Sequence, residues 1–420
     1  MTEQLLQYIW KFRLFDANDL RTLDGEPIEI GKTGEQNLDS GADFSNARLK
    51  IGGMQWAGNV EIELESENWE KHGHSFDAAH KNTLVLVCIE HTAKTPIAIP
   101  VVELKDRINQ DLIEKYKQLM DGGSFIACEK FMGRVDGFTQ QSWLLRILTE
   151  RMEQKVLPIT TSLQNNKNNW EESFYHALAR NFGFNTNALP FELVAKGLPL
   201  NLLAKHKNNL AQLEALFLGQ AGLLQMVEEP DVYTQKLQTE YNFLAKKFNL
   251  EPIDGTLFKF SKTRPANFPT LRLVQFAALV HTSTHLFSKL METPKPASLK
   301  KLLAIKASPY WDTHYQPSVA AEVGRNMLGD DAINNILINT VAPFFFAYGL
   351  IKGDDEYKDR ALDLLEALPK ENNRIIRGYE EIGVIPTNAA EGQALLQMHK
   401  HWCTPQKCLQ CRIGHKVLSS

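Results

Sequence analysis

The chain has little cysteine, five residues in 420, and three of them crowd the C-terminus. That is no framework for a disulfide-stapled secreted protein, and it points to a reducing cytoplasm. Charge of one sign is not in surplus either: 46 basic against 50 acidic residues leave a net −4. No global basic field draws this chain to nucleic acid, so any such binding must come from a local patch. Long uninterrupted hydrophobic runs are missing. The most apolar stretch, 336–351, is broken by Asn339, Thr340 and Pro343 and is short for a bilayer, which predicts a buried, kinked helix and no membrane partner. The opening residues Met1-Thr2-Glu3-Gln4-Leu5 lack the charged, apolar and small-residue zones of a secretory signal. No repeat of solenoid type recurs.

What is present is the composition of a soluble globular protein, 43% apolar and 23% charged, long enough for two domains with cores of their own. Leu5, Leu6, Ile9, Trp10 and Phe12 predict an amphipathic helix over 3–15. Asp24-Gly25 reads as a hairpin turn, and strands are expected at 48–51, 59–65, 83–90 and 97–102. The run 84–89 is apolar at every position, as in a central strand covered on both faces. Helical periodicity follows at 104–120 and 142–156, completing an α/β domain over 1–157. The polar segment 157–169 reads as a linker. Leu210, Leu213, Leu216 and Phe217, and later Leu362, Leu364, Leu365 and Leu368, keep a helical period, so 165–400 is expected to be a helical domain without strands. A Cys/His tail, 401–420, completes an α+β chain.

The sharpest chemistry lies in 41–74. On a strand, Glu61, Glu63 and Glu65 share one face, and Val60, Ile62 and Leu64 share the other. Carboxylates spaced roughly 7 Å apart repel one another, and a divalent cation between two of them relieves that repulsion. The competing reading is the solvated face of an edge strand, where charge discourages aggregation.

Asp43 followed by Glu61-x-Glu63 resembles the metal site of the PD-(D/E)xK nuclease superfamily, whose members cleave phosphodiesters with Mg²⁺ held on adjacent strands. The resemblance implies a restriction-endonuclease-like mixed sheet over the first third of the chain. It also implies Asp43 and Glu61 as ligands of Mg²⁺ or Mn²⁺, and a nuclease activity on DNA or RNA. Glu63 stands where that pattern usually has lysine, and Ala42 where it has proline. Glu63 is then a second ligand or a base, and a catalytically inactive nucleic-acid- or protein-binding protein is the alternative. Over nearly its full length the chain also resembles a bacterial domain family of unknown function, through Gly41-Ala42-Asp43-Phe44, 58–63, 69–74, 217–222 and the C-terminal cysteines.

Three further groups carry chemistry. His72, His74 and Asp77 can bind a transition metal and support a hydrolase of another class, or can cap turns and contact phosphate at the rim of the carboxylate site. Cys403-x4-Cys408-x2-Cys411-x3-His415 has the spacing of a structural zinc site. An iron–sulfur cluster is the alternative there and needs Cys88, Cys128 or a non-cysteine as its fourth ligand. Lys262, Arg264, Arg272, Lys300, Lys301 and Arg412 are candidates for holding nucleic-acid phosphates, against the plainer reading of solvated faces. Oligomeric state is not legible.

Overall fold

The first helix forms where its sequence pattern and its cap agree. Leu5, Leu6, Ile9 and Trp10 face one way and are buried, and the Thr2 hydroxyl accepts from the Leu5 N–H, capping α1, Glu3–Phe12. The structure is a computed structural model that describes residues 1–37, 39–261, 263–321 and 326–419. Strands follow as β1 (Ile28–Lys32), β2 (Glu35–Gln36), β3 (Phe44–Ile51), β4 (Met54–Glu65), β5 (Thr83–Glu90) and β6 (Val101–Glu103). They form one mixed sheet in the order β1-β3-β4-β5-β6, with β2 paired to the start of β3. The pairs β1·β3 and β3·β4 are antiparallel; β4·β5 and β5·β6 are parallel. The chain is therefore α+β, with the sheet at its N-terminal end and helices through most of the remainder.

The expected strand over 83–90 has those bounds, and Val85, Leu86, Val87 and Cys88 are all buried. The one expected over 97–102 is shorter, Val101–Glu103; Ile97 and Ile99 instead pack on a small core of Trp69, Leu86, Cys88 and Val101. Parallel pairing of β4 with β5 forces the chain to cross over the sheet between residues 65 and 83. That crossover carries α2 (Asn68–Lys71) and the turns His74–Phe76 and Ala78–His80. Gly58 lets the two strands close, since a Cβ there would come within 2.6 Å of the Asn82 carbonyl oxygen.

After α3 (Gln110–Met120) comes α4 (Gly137–Asn165), which runs through most of the segment expected as a linker, with Pro158 inside it. Polar composition misled there, because asparagine, threonine and serine are tolerated on an exposed helix face. The chain divides into two compact units, 1–143 with 398–420, and 144–397. The first unit thus recovers the C-terminal residues that read as a separate tail. Among its described residues the second is helical apart from a small hairpin, His314–Gln316 with Val319–Ala320, and an isolated bridge between Lys306 and Met327, where no strand is expected from the sequence. Its most apolar helix, Asp330–Lys352, is long and apolar enough to cross a membrane, yet 72% of that apolar window is buried within the protein. A π-helical turn at Leu337–Val341 precedes Pro343, the irregularity expected where proline enters a helix.

Candidate metal centre

Strand alternation turns Glu61 and Glu63 to one face of β4, and the crossover passes over that same face. Both carboxyls are buried, at 6% and 2% exposure, because β4 lies between β3 and β5. The reading of a solvated edge strand therefore fails. His72 caps the end of α2, Gly73 turns the chain with φ +75°, and His74 opens the next turn. Asp77 then caps the following turn by accepting from the Ala79 N–H at 2.9 Å, and His80 ends it. Those turns bring three imidazoles onto two glutamates.

His74 Nε2 lies 3.2 Å from Glu61 Oε1 and 3.3 Å from Glu63 Oε1. His72 Nδ1 lies 2.8 Å from Glu63 Oε1, and His80 Nε2 lies 3.5 Å from Glu61 Oε2. Two groups are close enough to share an ion, Glu61 with His74 and His80, and Glu63 with His72 and His74. The Trp69 ring backs the site, with centroids 5.4 Å from His74 and 5.9 Å from His80. Glu63 Oε2 is buried with no hydrogen-bond partner among the described residues. An unsatisfied buried carboxylate oxygen is costly, and a cation satisfies it. His72 is the solvent side of the centre, its side chain 52% exposed against 16% for His74 and 4% for His80.

Asp43 joins from the bend immediately before β3. Its amide donates to Glu61 Oε2 at 3.2 Å, its Oδ2 accepts from the Ile62 amide at 2.9 Å, and its Oδ1 accepts from Gln7 Nε2 of α1 at 2.8 Å. A bulge sets this register: Phe44 pairs with Val60 and Ala47 with Gly58, and Asn46 takes φ +56° between them. Burial, helped by Glu3 and Glu63, pushes the Asp43 carboxyl up to about 7. Burial, with Asp43 and Glu63 beside it, pushes Glu61 up to about 8. Burial and the neighbouring His80 lower His74, which keeps its imidazole neutral and fit to ligate.

Of the residues singled out from sequence, Glu61, Glu63, His72 and His74 converge on shared ligand positions, while Asp43 lies beside Glu61 with its carboxyl in neither group. Asp77 does not enter the cluster; its Oδ2 sits 3.3 Å from His80 Nδ1 and holds that ring from behind. His80 and Gln7 were missed as site residues. His80 shares the short His-rich stretch with His72 and His74, whereas nothing local ties Gln7 to Asp43. At the C-terminus Cys408 and Cys411 are buried and none of the cysteines is in a disulfide. His415, expected as their fourth partner, has its Nδ1 2.7 Å from the Tyr8 hydroxyl and its ring centroid 4.2 Å from that of Phe12.

Among the basic candidates, Arg264, Lys301 and Arg412 are exposed and Lys300 half-buried, while Lys262 lies outside the described residues. Arg272 is not a surface group. It is 6% exposed, donates to Gln275 Oε1 and Asn267 Oδ1, lies over the Phe184 ring, and burial lowers it to about 10. A charged residue in an apolar helical stripe can be a core residue with local acceptors, and spacing alone does not separate the two.

No curated protein and no solved structure matches the chain. A family model matches residues 3–374, a span that takes in Asp43, both glutamates and all three histidines but ends before Cys403. The chain belongs to that family, described as protein of unknown function DUF2851.

Proposed function

We propose that this protein is a divalent-metal-dependent phosphodiesterase, a nuclease acting on DNA or RNA, with its centre at Asp43, Glu61 and Glu63 and the three histidines above them. The observation that carries the reading is that Asp43, immediately before β3, lies against Glu61 of β4, its amide on Glu61 Oε2 and its Oδ2 on the Ile62 amide, as the PD-(D/E)xK resemblance would have it. The histidine-based hydrolase and the carboxylate-based nuclease are one site on this reading, because His72 and His74 stand on Glu61 and Glu63. Mixed carboxylate and imidazole donors suit Mn²⁺ better than Mg²⁺, which prefers an all-oxygen shell.

A bound ion would polarise the scissile phosphate and lower the pKa of water. Asp43 and Glu61 would hold it, and Gln7 fixes the Asp43 carboxyl in place. Glu63, with one oxygen left open, is positioned to ligate or to take a proton from an attacking water. His72 reaches solvent while bonded to Glu63, so it can give a proton to a departing oxygen, a role for which the absent lysine is not needed. Exposed Arg264, Lys301 and Arg412 are the basic groups that would contact nucleic acid.

The test is hydrolysis of single- and double-stranded DNA and RNA with Mn²⁺ or Mg²⁺. Cleavage should vanish in Asp43→Ala with the far-UV spectrum unchanged, and cleavage retained in that variant removes the proposed centre. A second reading rests on Glu63 in the usual lysine position: a protein that binds nucleic acid without cutting it. Salt-sensitive binding without turnover under any divalent ion would favour it.

A further inference from the structure

Three cysteines crowd a short stretch at the C-terminus, and two of them, Cys408 and Cys411, are buried. Cys403 ends the turn His399–Cys403, and Cys408 and Cys411 bracket the next, where the Cys411 amide donates to the Cys408 carbonyl at 3.3 Å. The helix Arg412–Ser419 begins directly after Cys411, and burial pushes the Cys408 thiol up to about 11 and raises that of Cys411, against the smaller opposing pull of the Ile413 and Gly414 amides. Buried thiols of this kind hold their protons until a metal displaces them. This helix can sit so close because residue 414 is glycine: a Cβ there would come within 2.2 Å of the Cys408 carbonyl oxygen.

A fourth thiol reaches the same place from the middle of the chain. Phe125 stacks on His399, with ring centroids 4.8 Å apart, and Trp143 meets Trp402 edge-on at 4.9 Å. These contacts bring 125–128 against 399–411, and the Cys128 thiol lies within electrostatic reach of Cys403, Cys408 and Cys411. Cys128, Cys408 and Cys411 are each less than a tenth exposed. Lys407, Arg412 and Lys416 supply positive charge around the group, and no acidic residue occurs in 401–420.

We propose that Cys128 completes a four-thiolate metal centre with Cys403, Cys408 and Cys411. Each thiol gives its proton to solvent as the metal binds. Among the described residues no three of these sulfurs lie within 4.8 Å of one another. A single zinc ion, with Zn–S distances of about 2.3 Å, draws its sulfurs closer than that. The sulfurs are thus not gathered as a single zinc ion would hold them, and an iron–sulfur cluster, whose corner irons each take one thiolate, is the occupant to be tested first. The inference is independent of the nuclease reading, since none of these residues touches Asp43, Glu61 or Glu63.

Iron, zinc and acid-labile sulfide are to be measured in the full chain purified without oxygen. The expected result is iron and sulfide in equal amounts, about four each per chain, with visible absorption that bleaches on reduction. Cys128→Ser and Cys403→Ser should each lose most of the metal, while Cys88→Ala, whose thiol packs in the sheet, should keep it. One zinc per chain, lost in the same two variants, would support the four-thiolate centre with the smaller occupant. Metal retained in Cys128→Ser overturns the proposal. So does wild-type protein that holds no iron or zinc even after reconstitution with ferrous iron and sulfide, a result that does not depend on how the variants fold.

Discussion

At the residue scale the defining fact is that half-buried Asp43 lies beside buried Glu61, with burial and neighbouring carboxylates raising Asp43 to about 7 and Glu61 to about 8. Near neutrality each carries a substantial share of a proton that a cation must displace. Binding of Mn²⁺ to the metal-free protein at pH 7 should therefore release about one proton, and the apparent affinity should climb until roughly pH 8 and then level. Calorimetric titration in buffers of different ionisation enthalpy measures this directly; buffer-independent heats would count against the carboxylates as ligands. The sign for stability follows from the same shifts. The unfolded chain loses these protons near the ordinary values of 3.8 and 4.5, while the folded one keeps them, so the pair's contribution falls as pH rises from there to about 8. His74, lowered instead, adds an opposing rise below its ordinary 6.5. The net decline in the metal-free protein should thus be clearest between about pH 6.5 and 8, and saturating Mn²⁺ should flatten it.

At the scale of elements, the centre depends on how closely β4 and β5 run. Alternation along 60–65 was legible in the sequence and correctly grouped Glu61 with Glu63. The arrival of His74 and His80 above them was not, because it needs β5 parallel to β4 and a crossover lying on the glutamate face, and both are properties of sheet pairing. Gly58 is the tightest point of that pairing, with Leu84 Cγ as well as the Asn82 carbonyl inside the space of a Cβ. Gly58→Val should cost roughly 1–3 kcal/mol by overpacking and weaken Mn²⁺ binding, since the crossover starts and ends on these strands. Denaturant unfolding together with a metal titration checks both, and an unchanged midpoint would show that the strands tolerate separation.

For the molecule as a whole, the first unit is assembled from both ends of the chain. Tyr8 meets His415, and Phe125 and Trp143 meet His399 and Trp402. Truncation after Met398 should therefore raise amide exchange in α1 and α3 above that in the helices of 144–397. Equal exchange in both units would show that 398–420 is dispensable for the first.

By itself the sequence determined the local elements, because the 3.6- and 2-residue periods of α1, β4 and β5 are written in consecutive side chains. It also singled out Asp43, Glu61, Glu63 and the neighbouring histidines as the candidate site. Only the tertiary structure decided their partners. His415 bonds to Tyr8, Arg272 is a core residue, and Asp77 lies against His80 outside both groups of ligands. Each of these outcomes depends on segments far apart in sequence being packed together, and burial and pairing of that kind leave no period or spacing in the chain to read.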